Sequence, residues 1–243
     1  MSTAYFISDA HLGLGPRKNE REKERRLIAF LDHIERDASQ LFIVGDLFDA
    51  WFEYRTVIPK GFHRLLTKLN DITMKGIEAH YLPGNHDYWM RDYFQVELGM
   101  KTHNESLDIM IDSKRIYLCH GDGISKGDLG YRILKKILRN RFNVWLYSWL
   151  HPDIGIPIAR SSSRSSRQYT SVKKFHEDRG MIELAQQKIT EGFDIVIMGH
   201  CHQPVYEKIG NGLYINLGDW INHNTYAVLN DGNIQLKKWS DNT

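Results

Sequence analysis

The feature that most constrains this chain is a repeated adjacency: five short clusters rich in Asp, Asn and His, each directly behind a short apolar run. Asp9-Ala10-His11 follows Tyr5-Phe6-Ile7, and Gly45-Asp46-Leu47-Phe48-Asp49 follows Leu41-Phe42-Ile43-Val44. Gly84-Asn85-His86-Asp87 follows Ala79-His80-Tyr81-Leu82, while His120-Gly121-Asp122 and Gly199-His200-Cys201-His202 stand behind the apolar runs at 116–119 and 195–198. Runs this short read as buried strands, and amphipathic helical patterns at 20–35 and 62–74 separate the first three, giving a β-α-β-α-β series and hence an α/β fold. Further strands are expected at 107–111, 214–217, 226–229 and 234–236, the last two joined by the turn Asn230-Asp231-Gly232-Asn233 as a hairpin. Ligands of α/β sheets collect outside the carboxyl ends of the strands, so the five clusters are expected on one rim, facing one another.

The chemistry of that rim is carboxylate, amide oxygen and imidazole without thiolate, a donor set suited to Mn2+, Fe or Zn2+. Each cluster is weak alone, since a strand-end Asp is more often a turn residue than a ligand. Gly-Asn-His-Asp, however, arises by chance at roughly one position in 10^5 to 10^6, and five such clusters in one chain are a specific signal. At 243 residues a chain buries roughly 70% of its unfolded surface, so it needs no metal merely to fold and a metal site here is a working one.

Charge divides the chain. Residues 125–179 hold twelve Lys or Arg against four Asp or Glu, a balance of +8, and since the whole chain stands at +2 the remainder stands at −6. This basic segment reads as an insert between two core strands, with a core at 1–124 and 180–243. It begins with an amphipathic stretch at 129–141 bearing Ile133, Leu134, Ile137 and Leu138, continues through Trp145, Tyr147 and Trp149, and passes a polar Ser-Arg run at 161–167, expected as a flexible loop, before a helical pattern at 172–189. The apolar stripe has two readings, ordinary core and a surface that touches lipid. The Ser-Arg run likewise reads as a solvated loop or as a nucleic-acid contact, and the acidic remainder argues against a broad nucleic-acid footprint. Two cysteines, Cys119 and Cys201, are too few for a disulfide framework, and the opening residues lack the pattern of a signal peptide, so a cytoplasmic setting is expected. No apolar stretch approaches the ~18 residues of a membrane span.

The ordered set Asp-x-His, Gly-Asp-x-x-Asp, Gly-Asn-His-Asp, His and Gly-His-x-His resembles the pattern of the calcineurin-like metallophosphoesterases. The resemblance implies a β-sandwich flanked by helices, a four-layer α/β/β/α architecture with a helical insert, and two divalent metals, expected as Mn2+ with Fe or Zn2+ as alternatives. Carried over by position, Asp9, His11, Asp46 and His202 would hold one metal and Asp46, Asn85, His120 and His200 the other. His86 would pair with the Asp49 carboxylate, which would orient it and favour its charged form for transition-state stabilisation or protonation of the leaving oxygen. Gly45 to Trp51, His120 to Asp122 with Asp128 and Tyr131, the basic insert, and Asn216 to Trp220 are similar to the branch that hydrolyses the pyrophosphate of UDP-2,3-diacylglucosamine in lipid A synthesis, giving UMP and 2,3-diacylglucosamine 1-phosphate. One departure is His86, where many members of the branch have arginine. The resemblance implies a UDP-linked, diacylated glucosamine as substrate, with peripheral contact at the cytoplasmic face of the inner membrane through the insert. It makes Asp128, Tyr131, Arg160, Arg164 and Arg167 candidate substrate contacts. Hydrolysis of another phosphodiester, in a cyclic nucleotide, a nucleic acid or a nucleotide-linked lipid, is the alternative.

The other histidines, His33, His63, His80, His103, His151, His176 and His223, read as surface or packed residues, with His223 nearest to a site role because it follows Trp220. Cys119 and Cys201 neighbour ligands in sequence, so in strands their side chains would point away from the site, and both read as small buried residues.

Overall fold

The computed structural model describes residues 2–124 and 129–240, with the side chains of 129, 131, 132 and 164–178 outside the description. The first half of the chain is the expected series: β1 (Thr3–Ile7), α1 (Arg17–Ile34), β2 (Gln40–Val44), α2 (His63–Met74) and β3 (Glu78–Leu82), then the short α3 (Tyr93–Val96) and β4 (Lys101–Thr102). A second group of elements follows, β5 (Ser106–Ile111), β6 (Lys114–Cys119), α4 (Leu129–Arg139), α5 (Arg141–Tyr147) and α6 (Pro152–Thr190). The chain closes with β7 (Ile195–Met198), β8 (Pro204–Ile209), β9 (Gly212–Leu217), β10 (Thr225–Asn230) and β11 (Asn233–Lys238).

The strands form two mixed sheets, ordered β11-β10-β1-β2-β3-β4 and β5-β6-β7-β9-β8. β1, β2 and β3 run parallel, as do β6, β7 and β9, so the loops that carry the polar clusters leave their sheets at carboxyl ends. The two-residue period of a strand sorts the core into layers. In β1, Ala4 and Phe6 face the second sheet, joining Phe42, Val44 and Leu82 against Ile116, Leu118, Ile195, Ile197 and Ile215. Tyr5 and Ile7 face the other way, onto Leu27, Phe30 and Leu31 of α1 and Leu65, Leu69 and Ile72 of α2. The outer face of the second sheet, with Cys119, Val196, Met198 and Tyr214, is covered by Met181 and Ala185 of α6. This is the four-layer helix, sheet, sheet, helix arrangement. Cys119 is buried as expected, whereas Cys201 is only half-buried.

The 161–167 run, expected as a flexible loop, lies inside α6. Each serine costs only about half a kcal/mol in a helix interior, and helical chain on both sides carries the turn through. The helix starts with Pro152 at its first turn and the His151 ring accepting from the Asp153 N–H at 3.3 Å. In α4 and α5 the apolar residues are not core: Ile133 and Ile137 are each 52% exposed, Phe142 65% and Trp145 53%, and Trp149, just beyond α5, is 73% exposed. Among the described residues no helix is long and apolar enough to cross a membrane.

Candidate dinuclear metal centre

Five of the sequence-selected residues sit in backbone that side-chain-bearing residues rarely adopt. Asp9, His11, Asp46, His200 and His202 have φ of 54°, 43°, 53°, 70° and 58°. Left-handed backbone at a non-glycine residue is held only where the surroundings over-determine it, and here the loops brace one another. The Asp9 N–H donates to the Gly45 carbonyl (3.1 Å), His11 N–H to the Asp46 carbonyl (2.9 Å), Asp49 N–H to the Leu12 carbonyl (2.9 Å) and Gly199 N–H to the His120 carbonyl (3.1 Å). Gly84 must be glycine, because a Cβ there would run into the Asp46 carboxylate and its backbone nitrogen.

On this frame the side-chain donors converge in two groups. His11 Nε2 lies 3.6 Å from Asp9 Oδ1, 3.5 Å from Asp46 Oδ2 and 3.2 Å from His202 Nε2. His120 Nε2 lies 3.2 Å from both Asp46 Oδ2 and Asn85 Oδ1, and His200 Nδ1 lies 3.1 Å from that same amide oxygen. Donors held at about 2.1 Å around one ion at tetrahedral angles stand about 3.4 Å apart, so both groups have the spacing of ligand sets. Asp46 Oδ2 belongs to both. Asp9 Oδ1 is buried without a hydrogen-bond partner, an orphaned acceptor aimed into the first group, which a cation would satisfy. Residues and spacing therefore fit two divalent ions.

The electrostatics agree with that chemistry. Burial alone would raise the Asp46 carboxyl, but the charges of His120, His86 and His11 hold it well below the usual carboxylate range. Burial also opposes ionisation of Asp9, which the adjacent His11 and the charge of His202 bring below its ordinary value. Burial would lower His120, yet the facing Asp46 and Asp9 lift it to about 10, whereas burial and the His120 charge push His200 down to about 4. His120 is thus held as an imidazolium where cations would otherwise balance the carboxylates, and uptake of metal must displace its proton.

His86 is beside this centre, Nε2 4.0 Å from Asp46 Oδ2. Its Nδ1 is 3.0 Å from the Asp49 main-chain carbonyl and 2.8 Å from Ser163 Oγ, so the expected pairing runs through Asp49's backbone. The Asp49 carboxylate instead approaches His11, Oδ1 to Nδ1 3.7 Å. The expected charged form also gives way: burial pushes His86 down to about 4. A carbonyl can only accept, so Nδ1 carries the proton and Nε2 presents its lone pair to the centre. Of the candidate substrate contacts, Asp128 lies outside the described residues, as do the side chains of Tyr131, Arg164 and Arg167. Arg160 is exposed on α6 and lines a separate cleft with Leu12, Arg17, Arg21 and Lys60.

The structure adds residues that sequence reasoning had left without a role. Asp219 Oδ2 stands 3.5 Å from His202 Nδ1, while its Oδ1 accepts from the N–H groups of Ile221, Asn222 and His223 at 3.1, 2.8 and 3.0 Å. Against its burial, His202 and those N–H groups hold this carboxyl well below the usual range. His223, read as the nearest of the remaining histidines to a site role, contacts Asp219 at 3.3 Å. Asp87 accepts from the N–H groups of Gly84 (2.8 Å), Asp46 (3.2 Å) and Phe48 (3.3 Å) and from the Tyr81 hydroxyl (2.5 Å), tying the loop after β2 to the loop after β3. Asp122 receives Lys135 at 2.9 Å and Arg139 at 3.0 Å, which fastens α4 to the rim. Between α4 and α6 a cleft opens onto His86 and Asn85, walled by Trp89, Leu134, Leu138 and Ala159. The helical spacing of Lys135 and Arg139 in the sequence was the available signal for that docking.

Comparison with known proteins agrees with this geometry. The model of the calcineurin-like phosphoesterase family matches residues 3–204. A UDP-2,3-diacylglucosamine hydrolase of Porphyromonas gingivalis is 33% identical, covering 99% of this chain and 98% of that one, and its namesake in Histophilus somni is 26% identical over 90% and 93%. A solved archaeal phosphodiesterase shares the fold at a TM-score of 0.50 and 13% identity, covering 97% of this chain and 98% of that one. Two facing sheets, a largely buried Asp and His cluster with Asn85 beside it at their carboxyl ends and a family match across most of the chain lead to one conclusion: this chain belongs to the calcineurin-like phosphoesterases and is a metal-dependent hydrolase.

Proposed function

We propose that the protein hydrolyses the pyrophosphate of UDP-2,3-diacylglucosamine to UMP and 2,3-diacylglucosamine 1-phosphate, with Mn2+ as its working metal. The observation that carries this reading is the apolar cleft between α4 and α6, with Trp89, Leu134 and Leu138 in its wall, opening onto the metal centre. A diacylated pyrophosphate needs apolar surface and cations within one molecular length, and Lys135 and Arg139 line the same cleft. Cyclic nucleotides and nucleic acids need no such wall. The named relatives, aligned over nearly their full length, support the same substrate.

Asp9, His11, Asp46 and His202 would hold one ion, and Asp46, Asn85, His120 and His200 the other. Two divalent ions so held supply Lewis-acid polarisation of a phosphoryl oxygen and acidify the attacking water. Asn85 gives an oxygen without charge, so the set brings only the carboxylates of Asp9 and Asp46 to two dications and keeps the centre attractive to a phosphate. His86 Nε2 faces the same space with its lone pair and would accept a proton there, while the Asp49 carbonyl and Ser163 hold the ring. Residues 1–124 and 180–243 act as the metal-bearing core and 125–179 as a cap, which rests peripherally on the cytoplasmic face of the membrane through Phe142, Trp145 and Trp149.

The test is UMP release by chelator-treated protein, with and without added Mn2+, from the acylated substrate, an unacylated UDP-sugar and an aryl phosphodiester. Mn2+-dependent release from the acylated substrate alone is expected, and turnover of only the simple diester would discard the lipid substrate.

A further inference from the structure

α6 crosses the metal centre with Ser163 on His86, and Arg160 of the same helix lines a second cleft. This cleft lies between α6, the loop after His11, the residues at 60–64 and the first turns of α1. It is fastened to the metal centre at two points. Lys23 Nζ donates to the carbonyl of His11 at 2.6 Å, and Glu20 accepts from the N–H groups of Gly13 (2.6 Å) and Gly15 (2.9 Å) in the same loop. Arg160, which lines the cleft, lies about one helical turn before Ser163 on α6.

The cleft is lined by cations at an unusual place. α1 begins at Arg17 behind Pro16, with no side-chain cap, and Arg21 follows one turn later. The amino end of a helix is already positive, so basic residues there are intrinsically unfavourable and leave a strongly anion-attracting end. Lys60 and Arg160 face the same space. The carboxylates among them are engaged or buried: Glu20 is used by the glycine N–H groups and by Lys23 at 3.2 Å, and Glu24 Oε2 is 3.9 Å from Arg64. Glu24 is only 7% exposed, and its Oε1 has no hydrogen-bond partner. A buried acceptor in the wall of a basic cleft suits a ligand that carries both a phosphate and a donor, and a nucleoside phosphate has both, in its phosphoryl oxygens and its ribose hydroxyl or uracil N–H groups.

We infer that this cleft, formed by Arg17, Arg21, Glu24, Lys60 and Arg160, is the subsite for the nucleotide half of the substrate proposed above, an assignment that rests on that reading. The two halves of the molecule then diverge across α6, acyl chains toward α4 and nucleotide toward α1, with the pyrophosphate at the metals between them.

The experiment is calorimetric titration of UMP, and separately of 2,3-diacylglucosamine 1-phosphate, into the metal-loaded full chain and into the Arg17→Ala/Arg21→Ala and Glu24→Gln variants, with thermal unfolding as the check on folding. UMP is expected to bind at least about tenfold more weakly to both variants, as loss of charge-assisted or buried hydrogen bonds would give, with the lipid product's affinity changed less than twofold. UMP affinity within about twofold of the parent in both variants, equal weakening of the two products, or no measurable UMP binding to the parent would overturn the assignment. If the parent fails to cleave the acylated substrate while UMP binding still depends on Arg17 and Arg21, the substrate reading falls and the nucleotide subsite stands.

Discussion

His202 meets the metal centre through Nε2 and Asp219 through Nδ1, so the Asp219 carboxylate fixes which nitrogen carries the proton and which one is free to ligate. Asp219→Asn keeps the oxygen that accepts the three backbone N–H groups and replaces the one that faces His202 with an amide nitrogen, which cannot accept. Partners of this kind typically account for 10- to 100-fold in metal affinity, so chelator competition should show about a tenfold weaker ion at the Asp9 and His11 side, and unchanged affinity would remove Asp219 from the centre. Asp46→Ala removes the oxygen common to both donor groups. Elemental analysis should find both ions lost and turnover down by at least about 1,000-fold; retention of one tightly bound ion would contradict a shared ligand. Ligand candidates were legible in the sequence because side-chain type and position behind an apolar run are both sequence properties. Asp219 was not, since its role comes from a fold that brings it beside a residue 17 positions away. The Asp49 to His86 link was read through the wrong atom for a related reason: a main-chain carbonyl has no residue type to betray it.

The strand ends could be anticipated because each buried strand is a short apolar run with a two-residue period, which survives any tertiary context. Helix α6 could not be bounded in the same way, because its central serines are locally neutral and its continuity is set by the helical turns on both sides. One consequence for function lies at Ser163, buried on α6 and hydrogen-bonded to His86. Ser163→Ala should lower kcat by about two- to fivefold through a looser imidazole, with KM and metal content unchanged; lost metal would mean that the serine supports the centre itself. A second consequence lies in β3. The His80 ring stacks on Phe42 at 4.4 Å and against His103, and burial pushes it down to about 4. A histidine with a depressed folded pKa contributes stability that is present above its unfolded value of about 6.5 and is lost as pH falls through the folded one. Unfolding free energy should therefore drop between pH 6.5 and 4, and His80→Phe, which retains the stack, should remove on the order of 2 kcal/mol of that drop. Parallel pH profiles for the two proteins would show that His80 is not the titrating group.

Charge and apolar exposure are organised on the scale of the whole molecule. The +8 of residues 125–179 against the −6 of the remainder makes the charge along the chain strongly asymmetric, and the exposed Phe142, Trp145, Leu146 and Trp149 belong to its basic part. Lys135 and Arg139 are drawn inward by Asp122, so the cations left for an external partner are fewer than composition suggests. On the proposed peripheral role, a surface of this kind would meet an anionic bilayer by aromatic insertion first and by charge second. The charge asymmetry was legible in the sequence, but whether the apolar stripe faced core or solvent was not, because an amphipathic pattern states that one face is apolar without saying what covers it. Binding to phosphatidylglycerol-containing vesicles should accordingly persist in part at high salt, since screening weakens only the electrostatic share. Replacing Trp145 and Trp149 together with serine removes the indole part of the apolar share while leaving the metal ligands untouched. That variant should bind vesicles about tenfold more weakly, and its remaining binding should be more salt-sensitive than that of the parent. If it binds as the parent does, the face formed by α5 and the residues just after it is not the one that meets lipid, and the cap contacts its substrate only after extraction from the membrane.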